Sequence, residues 1–359
     1  MLSIKKMIRA KMKVINWRRW ATWGLAVVLF LITIFYVRQA ILADTKGPVK
    51  LVVYAFSTQE EVLTQRIFPD FEQAWEADTG RELIIEGVFG PSGTLAGQIN
   101  LGAPADVALL SNEQHVNWLK IGRRVEWDTE PVVVSRTPMV IVTRPANPAH
   151  ITSFSDLAQP GLHLLHADPR SSGAGDWAVL AVYGSALLGS GDQAEAQAQL
   201  EAVWDNVVVL APSARAALTL FELGISDALI TYEQDARLAL ARGVPLEIII
   251  PPRTIVAQHV ATIIESNVTP PEQAAAQAFI NYLLSDAGQR AFTSYHLRPA
   301  DGTGKAFPPL IQPFTATELG GWSRAYPELV EKLWEKKIEP RLKLEPAIQL
   351  LNSTGEPHD

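Results

Sequence analysis

Short apolar runs alternate with longer stretches in which apolar residues recur at helical spacing, beginning at Val49. The first unit consists of a strand, a helix, a strand, a helix and a strand, at Val49–Phe56, Gln59–Ala77, Leu83–Val88, a stretch beginning near Ser92, and Ala105–Leu110. Such alternation predicts a mostly parallel sheet covered by helices. The chain is therefore expected to belong to the α/β class.

A second unit continues this alternation after a pair of strands predicted around Val132–Thr143. Further strands are predicted at Leu162–His166, Val207–Leu210, Asp227–Thr231, Leu246–Ile250 and Val256–Ile264, and helices at Gly173–Leu188, Ala214–Leu223, Glu272–Leu284 and Glu328–Lys337. Arg144–Pro148 and Pro251–Pro252 bracket the unit and are predicted to form a two-segment hinge. We therefore predict a discontinuous first lobe at 48–143 plus 252–345, a second lobe at 144–251, and a loose tail at 346–359.

The N-terminal segment 1–43 carries an apolar run, Ala21–Val37, behind a basic stretch. A basic region, an apolar run and the small residue Ala43 before Asp44 are typical of an export signal. The run is also close to the shortest length that spans a membrane, so an uncleaved anchor at residues 21–37 is the alternative. Both predictions place the rest of the chain outside the cytoplasm.

The charge distribution excludes several classes of partner. Eight of the 31 lysines and arginines precede Asp44, whereas all 38 carboxylates follow from Asp44 onward, so the body carries 23 cations against 38 anions. An acidic body argues against a surface for nucleic acid or anionic lipid. The chain has no cysteine, which excludes disulfides, thiolate metal sites and a lipoprotein attachment cysteine.

Four predicted strand-to-helix turns combine small residues with hydroxyls: Phe56–Gln59, Gly90–Thr94, Pro169–Gly175 and Pro212–Arg215. In open α/β sheets, ligands bind at the carboxyl ends of the strands, where helices begin. Glycine and alanine allow close approach to backbone N–H groups, and the helix dipole favours an anion there. Taken alone, Ser57 with Glu60 or Thr58 with Glu61 also fits a capping box, which needs no ligand. The four turns together indicate an anion site.

Several of these stretches carry the motifs of a known family. The motifs are FGPSGTLAGQI at Phe89–Ile99, DPRSSGA at Asp168–Ala174, SAR at Ser213–Arg215, GISDALITYE at Gly224–Glu233, LRP at Leu297–Pro299 and FTATELGGW at Phe314–Trp322. In order and spacing they resemble the sulfate/thiosulfate-binding proteins of ABC importers, within a larger group that includes molybdate-binding proteins. The resemblance covers roughly Val49 to Leu333.

The resemblance implies a type II periplasmic-binding fold. In that fold two α/β lobes, each a mixed and mostly parallel sheet flanked by helices, are joined by a two-segment hinge and close on a small oxyanion. The implied ligands of the anion are the backbone N–H groups of Ser92, Ser172, Gly173, Ala174 and Ala214, the side chains of Ser172 and Tyr232, and Ser57, with Gly93, Ser171 and Arg215 in support. The implied partners are sulfate and the permease subunits of an importer, with no cofactor, and we expect a monomer.

Two chemical considerations bear on the identity of the anion. Sulfate carries no proton at neutral pH and only accepts hydrogen bonds, whereas monohydrogen phosphate must donate one, so a site made only of donors favours sulfate. Asp168 and Asp176 lie near the third turn and are the candidate acceptors for such a proton, or have structural roles. Tyr232 stands where the sulfate group has a tryptophan and molybdate binders have a tyrosine, so molybdate or tungstate is the alternative ligand.

Nothing in the sequence favours an enzyme or a metal protein. There is no Gly-x-Ser-x-Gly elbow, no His-Glu-x-x-His motif and no phosphate-binding Walker loop. Only His163 and His166 among the seven histidines are close in sequence, and their spacing on a strand directs them to opposite faces. We therefore predict a binding protein without catalytic or metal-ligating residues.

Overall fold

The computed structural model describes residues 23, 25–35, 47–303 and 306–346. Most of the predicted signal or anchor segment 1–43 and nearly all of the predicted tail 346–359 lie outside the described residues. Residues 25–35 are helical. Within the described residues, every helix is too short or too polar to cross a bilayer.

The sheet contains eleven strands. They are β1 (Val49–Phe56), β2 (Leu83–Gly90), β3 (Val107–Leu110), β4 (Val132–Thr143), β5 (Leu164–Ala167), β6 (Val207–Ala211), β7 (Ala228–Tyr232), β8 (Glu247–Ile249), β9 (Arg253–Ile263), β10 (Arg298–Pro299) and β11 (Gln312–Phe314). The observed bounds of β1 equal the predicted ones. The predicted pair of strands around Val132–Thr143 is wrong, because this stretch forms the single strand β4 with a bulge between Val133 and Ser135.

The longer α-helices after β1 are α1 (Phe68–Thr79), α2 (Ser92–Asn100), α3 (Glu113–Ile121), α4 (Gly173–Ser190), α5 (Gln193–Trp204), α6 (Ala214–Glu222), α7 (Glu233–Ala241), α8 (Pro270–Leu284) and α9 (Asp286–Ser294). The chain reaches α1 through a short 3-10 turn, one α-turn and the π-helical stretch Leu63–Ile67. A second π-helix, Tyr326–Ile338, covers the predicted helix near the C-terminus. Helices α3, α5, α7 and α9 were not predicted.

The order of the main strands is β2-β1-β3-β9-β4-β7-β5-β6. Strand β1 pairs in parallel with β2 and β3, and β5 pairs in parallel with β6 and β7. Strands β4 and β9 are antiparallel to their neighbours and stand between these two parallel groups. The arrangement matches the predicted α/β class with mixed, mostly parallel sheets.

Strand β4 changes partner along its length. From Val132 to Pro138 it pairs with β9, whereas from Met139 to Thr143 it pairs with β7 and β8. The first parallel group and α8 bury one apolar core around Leu51, and the second group and α4 bury another around Trp177. The molecule is thus built as two halves that share β4 and β9.

The C-terminal segment packs on the second half. Trp322 and Trp334 are buried in the same core as Trp177, and the rings of Trp177 and Trp322 meet edge to face at 4.7 Å between centroids. Apolar contact with α4, rather than position in the sequence, therefore decides where this segment lies. The predicted assignment of residues 252–345 to the first lobe remains a prediction.

Candidate functional site

A small cavity lies between the two halves, at the carboxyl ends of the parallel strands. The space between its lining residues measures about 190 Å³, part of which is open to solvent. Its lining consists of residues that end a strand or begin the following turn or helix: Phe56, Ser57, Thr58, Pro91, Ser92, Ser111, Ser172, Gly173, Ala174, Ser213, Ala214 and Tyr232. This is the edge at which open α/β sheets bind ligands.

The structure brings all seven predicted anion ligands to this one cavity. Ser57, Ser92, Ser172, Gly173, Ala174, Ala214 and Tyr232 all belong to its lining. The three predicted supporting residues, Gly93, Ser171 and Arg215, lie outside the lining and instead make hydrogen bonds that join neighbouring segments.

Backbone N–H groups supply part of the donor set. Ser92, Gly173 and Ala214 are the first residues of α2, α4 and α6, where N–H groups have no acceptor within their own helix. Among the described residues, no other acceptor is found for these three groups or for the N–H of Ala174. The N–H of Ser172 differs, because it donates to the carbonyl oxygen of Asp168 over 2.8 Å. The predicted backbone contribution of Ser172 is therefore already used within the protein.

Three buried hydroxyls of the lining have no hydrogen-bond partner within the described part of the chain. They belong to Thr58, Ser111 and Tyr232, whose exposed fractions are 2%, 1% and 1%. A buried hydroxyl without a partner costs about 1–3 kcal/mol, so three of them facing one cavity indicate a polar ligand. Burial raises the pKa of Tyr232 well above its ordinary value. The Ser111 hydroxyl is near enough to oppose this shift partly but lies outside hydrogen-bond geometry, so the phenol keeps its proton and can donate it to a ligand.

The hydroxyl of Ser92 is fully engaged with the protein. It accepts from the N–H of Ser111 over 3.0 Å and lies 2.9 Å from Nδ1 of His115. Ser92 therefore contributes its backbone to the cavity, and its side chain fixes the end of β3 against α2.

The capping role considered for Ser57 and Thr58 is wrong. The residue at the N-cap position is Phe56. Among the described residues, no side chain caps this helical segment and the Thr58 hydroxyl has no hydrogen-bond partner. The absence of capping leaves both hydroxyls at the cavity wall.

Glycine at position 173 is required by close packing across the cavity. A Cβ atom added there would lie 1.6 Å from the hydroxyl oxygen of Ser111. Glycine is required at position 175 for a different reason, since a Cβ atom there would lie 2.4 Å from the backbone nitrogen of Pro169. Gly173 thus keeps two halves in contact, whereas Gly175 packs the start of α4 on its own turn.

Several hydrogen bonds cross from one half to the other around the cavity. The N–H of Gly93 donates to the carbonyl oxygen of Ser171 over 3.0 Å, and the indole nitrogen of Trp177 donates to that of Ser111 over 2.9 Å. These bonds enclose the cavity and define the conformation as one in which the halves are closed on each other.

Arg215 takes part in the same closure. Its guanidinium makes two hydrogen bonds to the carboxylate of Glu61, at 2.6 and 2.5 Å, and donates to the carbonyl oxygen of Ser57 over 2.9 Å. Burial alone would raise the pKa of Glu61, but the hydrogen bonds and charge of Arg215 outweigh it and lower that pKa. The charge of Arg215 is thus compensated by Glu61 outside the cavity lining, and the predicted supporting role of Arg215 stays a prediction.

The two candidate acceptors, Asp168 and Asp176, lie outside the lining. Asp168 is paired with Arg170 at 2.7 Å. Asp176 is fully buried behind the cavity and accepts a hydrogen bond from Nδ2 of Asn112 over 2.9 Å. Both aspartates therefore have structural partners, and the lining itself contains no carboxylate and no cationic side chain.

The histidines form no metal site within the described residues. His163 lies at the surface near Asp227, whereas His166 is fully buried against Trp204, so the two point to opposite faces as predicted.

Sequence reasoning missed Thr58, Ser111 and Ser213 as lining residues. Ser111 follows β3 directly, so the strand-end rule that selected the other turns also applies to it. Thr58 and Ser213 lie inside turns that were selected, beside residues chosen in their place. The position at the end of a strand or in a strand-to-helix turn could therefore have identified all three residues.

Comparison with known proteins assigns the chain to a family. A profile of the bacterial extracellular solute-binding proteins matches residues 51–298, and the chain belongs to this family. The sulfate-binding protein of Salmonella typhimurium is 32% identical over 289 residues, which cover 73% of this chain and 85% of that protein. The sulfate-binding protein of Synechococcus elongatus is 27% identical over 305 residues, covering 81% of this chain and 87% of that protein.

A solved structure supports the same fold. The sulfate-binding protein SubI from Mycobacterium tuberculosis H37Rv superposes with a TM-score of 0.72 at 24% identity, covering 78% of this chain and 99% of that chain. The predicted type II periplasmic-binding fold and the predicted membership of the sulfate/thiosulfate-binding group are confirmed. As an extracellular solute-binding protein, the chain functions outside the cytoplasm.

Proposed function

We propose that the protein binds sulfate in the cavity between its two halves and delivers it to the permease subunits of an ABC importer. The observation that carries this proposal is the chemistry of the lining, whose polar groups are backbone N–H groups and hydroxyls without a carboxylate. A dianion that only accepts hydrogen bonds satisfies such a set. The names of the related sulfate-binding proteins support the same ligand.

The donors proposed for the anion come from both halves. Ser57, Ser92 and the newly found Thr58 and Ser111 belong to the first half, and Ser172, Gly173, Ala174, Ala214 and Tyr232 to the second. An anion between them bonds to both halves at once, so binding and closure stabilise each other. Helix dipoles at α2, α4 and α6 supply the attraction that the uncharged lining lacks.

The proposed moving parts are the two predicted lobes, connected through β4 and β9. The partner change of β4 at Pro138 and Met139 supports a division within that strand. The packing of Trp322 and Trp334 against α4 favours a C-terminal segment that moves with the second lobe. In this proposal the protein acts as a binding protein rather than an enzyme, and as a monomer.

Isothermal titration calorimetry of the purified protein against sulfate, thiosulfate, molybdate and phosphate tests the proposal. We expect sulfate to bind, and phosphate to bind at least about tenfold more weakly because its proton faces a donor. Molybdate is the second candidate, favoured by the tyrosine at position 232. Tight molybdate binding without sulfate binding would mean that molybdate, and not sulfate, is the ligand. Tight phosphate binding at both pH 5 and pH 8 would contradict a site made only of hydrogen-bond donors.

A further inference from the structure

Asp176 is a buried carboxyl group without a cation. Its side chain is 0% exposed, and one of its oxygens, Oδ2, accepts from Asn112 while Oδ1 has no partner among the described residues. No lysine or arginine of the described chain forms an ion pair with it. An ionised carboxylate with a single donor in a dry site is strongly disfavoured, and such groups hold a proton instead.

The titratable groups that surround Asp176 do not favour its ionised form. Nε2 of His115 lies 3.5 Å from Oδ2, and burial lowers the pKa of His115 to about 3, so the imidazole is neutral. Asp168 and the phenols of Tyr232 and Tyr326 are the other titratable neighbours. Burial, and secondarily the charge of Asp168, raise the pKa of Asp176 well above its ordinary value, and the Asn112 bond opposes this only partly.

The burial of Asp176 depends on the closure of the two halves. Asp176 lies in the first turn of α4 in the second half, whereas Asn112 and His115 lie at the start of α3 in the first half. The adjacent contact of Trp177 with the Ser111 carbonyl crosses the same boundary. Separation of the halves removes the Asn112 bond and admits water to the carboxyl group, so that its pKa returns toward the ordinary range of an aspartate.

We propose that closure of the two halves over the anion makes Asp176 take up a proton from solvent, so that this residue determines how anion affinity depends on pH. The inference rests on the proposed function. Proton uptake also removes a negative charge behind a site that receives a dianion, and that charge would otherwise repel the dianion in a medium of low dielectric constant. Asp176 acts as a positioning residue, because it does not line the cavity.

The direction of the pH effect follows from linkage. The closed form holds a proton that the open form releases, so affinity is highest at low pH and falls as pH rises toward the pKa of the closed form. Within that window the Kd for sulfate increases by up to about tenfold per pH unit. Above the window the Kd is high and constant.

Calorimetry with sulfate at about pH 6, in buffers of different ionisation enthalpy, measures the protons taken up, since that pH lies above the ordinary aspartate pKa. We expect between half a proton and one proton per sulfate for the parent protein. The D176N variant, whose amide mimics the neutral acid, should take up none from this position and lose most of the pH dependence of its Kd. Asp128, exposed in a surface loop, provides the matched control D128N, which should behave as the parent.

The outcomes separate this inference from the proposed function. Sulfate binding whose heat is independent of the buffer overturns the inference alone, and this result needs no variant. Proton uptake that persists in D176N also overturns the inference and assigns the proton to Asp235, a second buried carboxyl group. Burial raises the pKa of Asp235 to about 7, although the charge of Arg215 opposes this shift. Absence of any sulfate heat in the parent protein would instead contradict the proposed function.

Discussion

The α-carbon of Gly173 lies so close to Ser111 that any Cβ atom on it would come within 1.6 Å of the serine hydroxyl oxygen. These two residues begin α4 in one half and follow β3 in the other. Four residues along α4, Trp177 donates to the carbonyl of the same serine. The boundary between the halves is therefore packed at van der Waals contact beside the cavity, and a side chain at position 173 must displace Ser111 or separate the halves.

We predict that G173A reduces sulfate affinity by at least about a hundredfold, or ~2.7 kcal/mol, because the added methyl group prevents closure. Folding should be retained, since the clash arises only between the halves. Calorimetry and a thermal melt of the variant measure the two effects. The matched control is G97A, where an added Cβ atom meets nothing within 4 Å in the middle of α2. G97A should bind as the parent, and equal losses in both variants would contradict this explanation.

Y232F tests the unpaired phenol. Removal of its hydroxyl should raise the Kd for sulfate by about tenfold to a hundredfold, the value of a hydrogen bond to a charged ligand. In the absence of sulfate, the melting temperature should stay constant or increase, because the hydroxyl has no partner there. A fall in stability together with unchanged affinity would mean that the hydroxyl serves the fold rather than the ligand.

The ion pair between Arg215 and Glu61 should stabilise the closed form modestly. Both side chains are partly exposed, at 33% and 23%, so screening limits the pair to about 1 kcal/mol. We expect E61Q and R215M each to weaken sulfate binding by a few fold, and the double variant to bind no more weakly than either single variant. Calorimetry over this cycle measures the coupling. E328Q, which breaks an exposed helical pair with Lys332, is the control and should leave affinity unchanged.

His166 should oppose folding in acid. Burial lowers its pKa to about 3, so the folded protein excludes a proton that the unfolded chain binds below about pH 6.5. The H166N variant should therefore become more stable relative to the parent as pH falls from 6.5 to 4, by up to about 1.4 kcal/mol per pH unit. Urea unfolding at several pH values measures this difference.

The sequence predicted the strands and the cavity well where the signal was local. An apolar run bounded by turn residues defined β1 to the residue. The rule that ligands meet strand ends selected four turns, and the seven ligands implied by the family resemblance share one cavity. Both signals are confined to a few consecutive positions.

Partners that are distant in sequence could not be predicted. Arg215 meets Glu61 across 154 positions, and nothing local to either residue indicates the pairing that compensates the charge of the arginine. Residues 135–138 interrupt the apolar pattern of β4 just before its pairing partner changes, so one long strand resembled two. The C-terminal segment was likewise predicted from its place in the chain, whereas its tryptophans follow the nearest apolar core.

The uncharged lining of the cavity has a consequence for the speed of capture. The chain carries a formal charge of −7, while no charged side chain lines the cavity. An approaching dianion is therefore repelled at long range and attracted only within the reach of the helix termini. Salt screens the long-range repulsion and barely affects contacts inside the closed cavity. The association rate should thus increase with ionic strength while the residence time of the anion stays constant, so capture becomes more efficient in saltier surroundings.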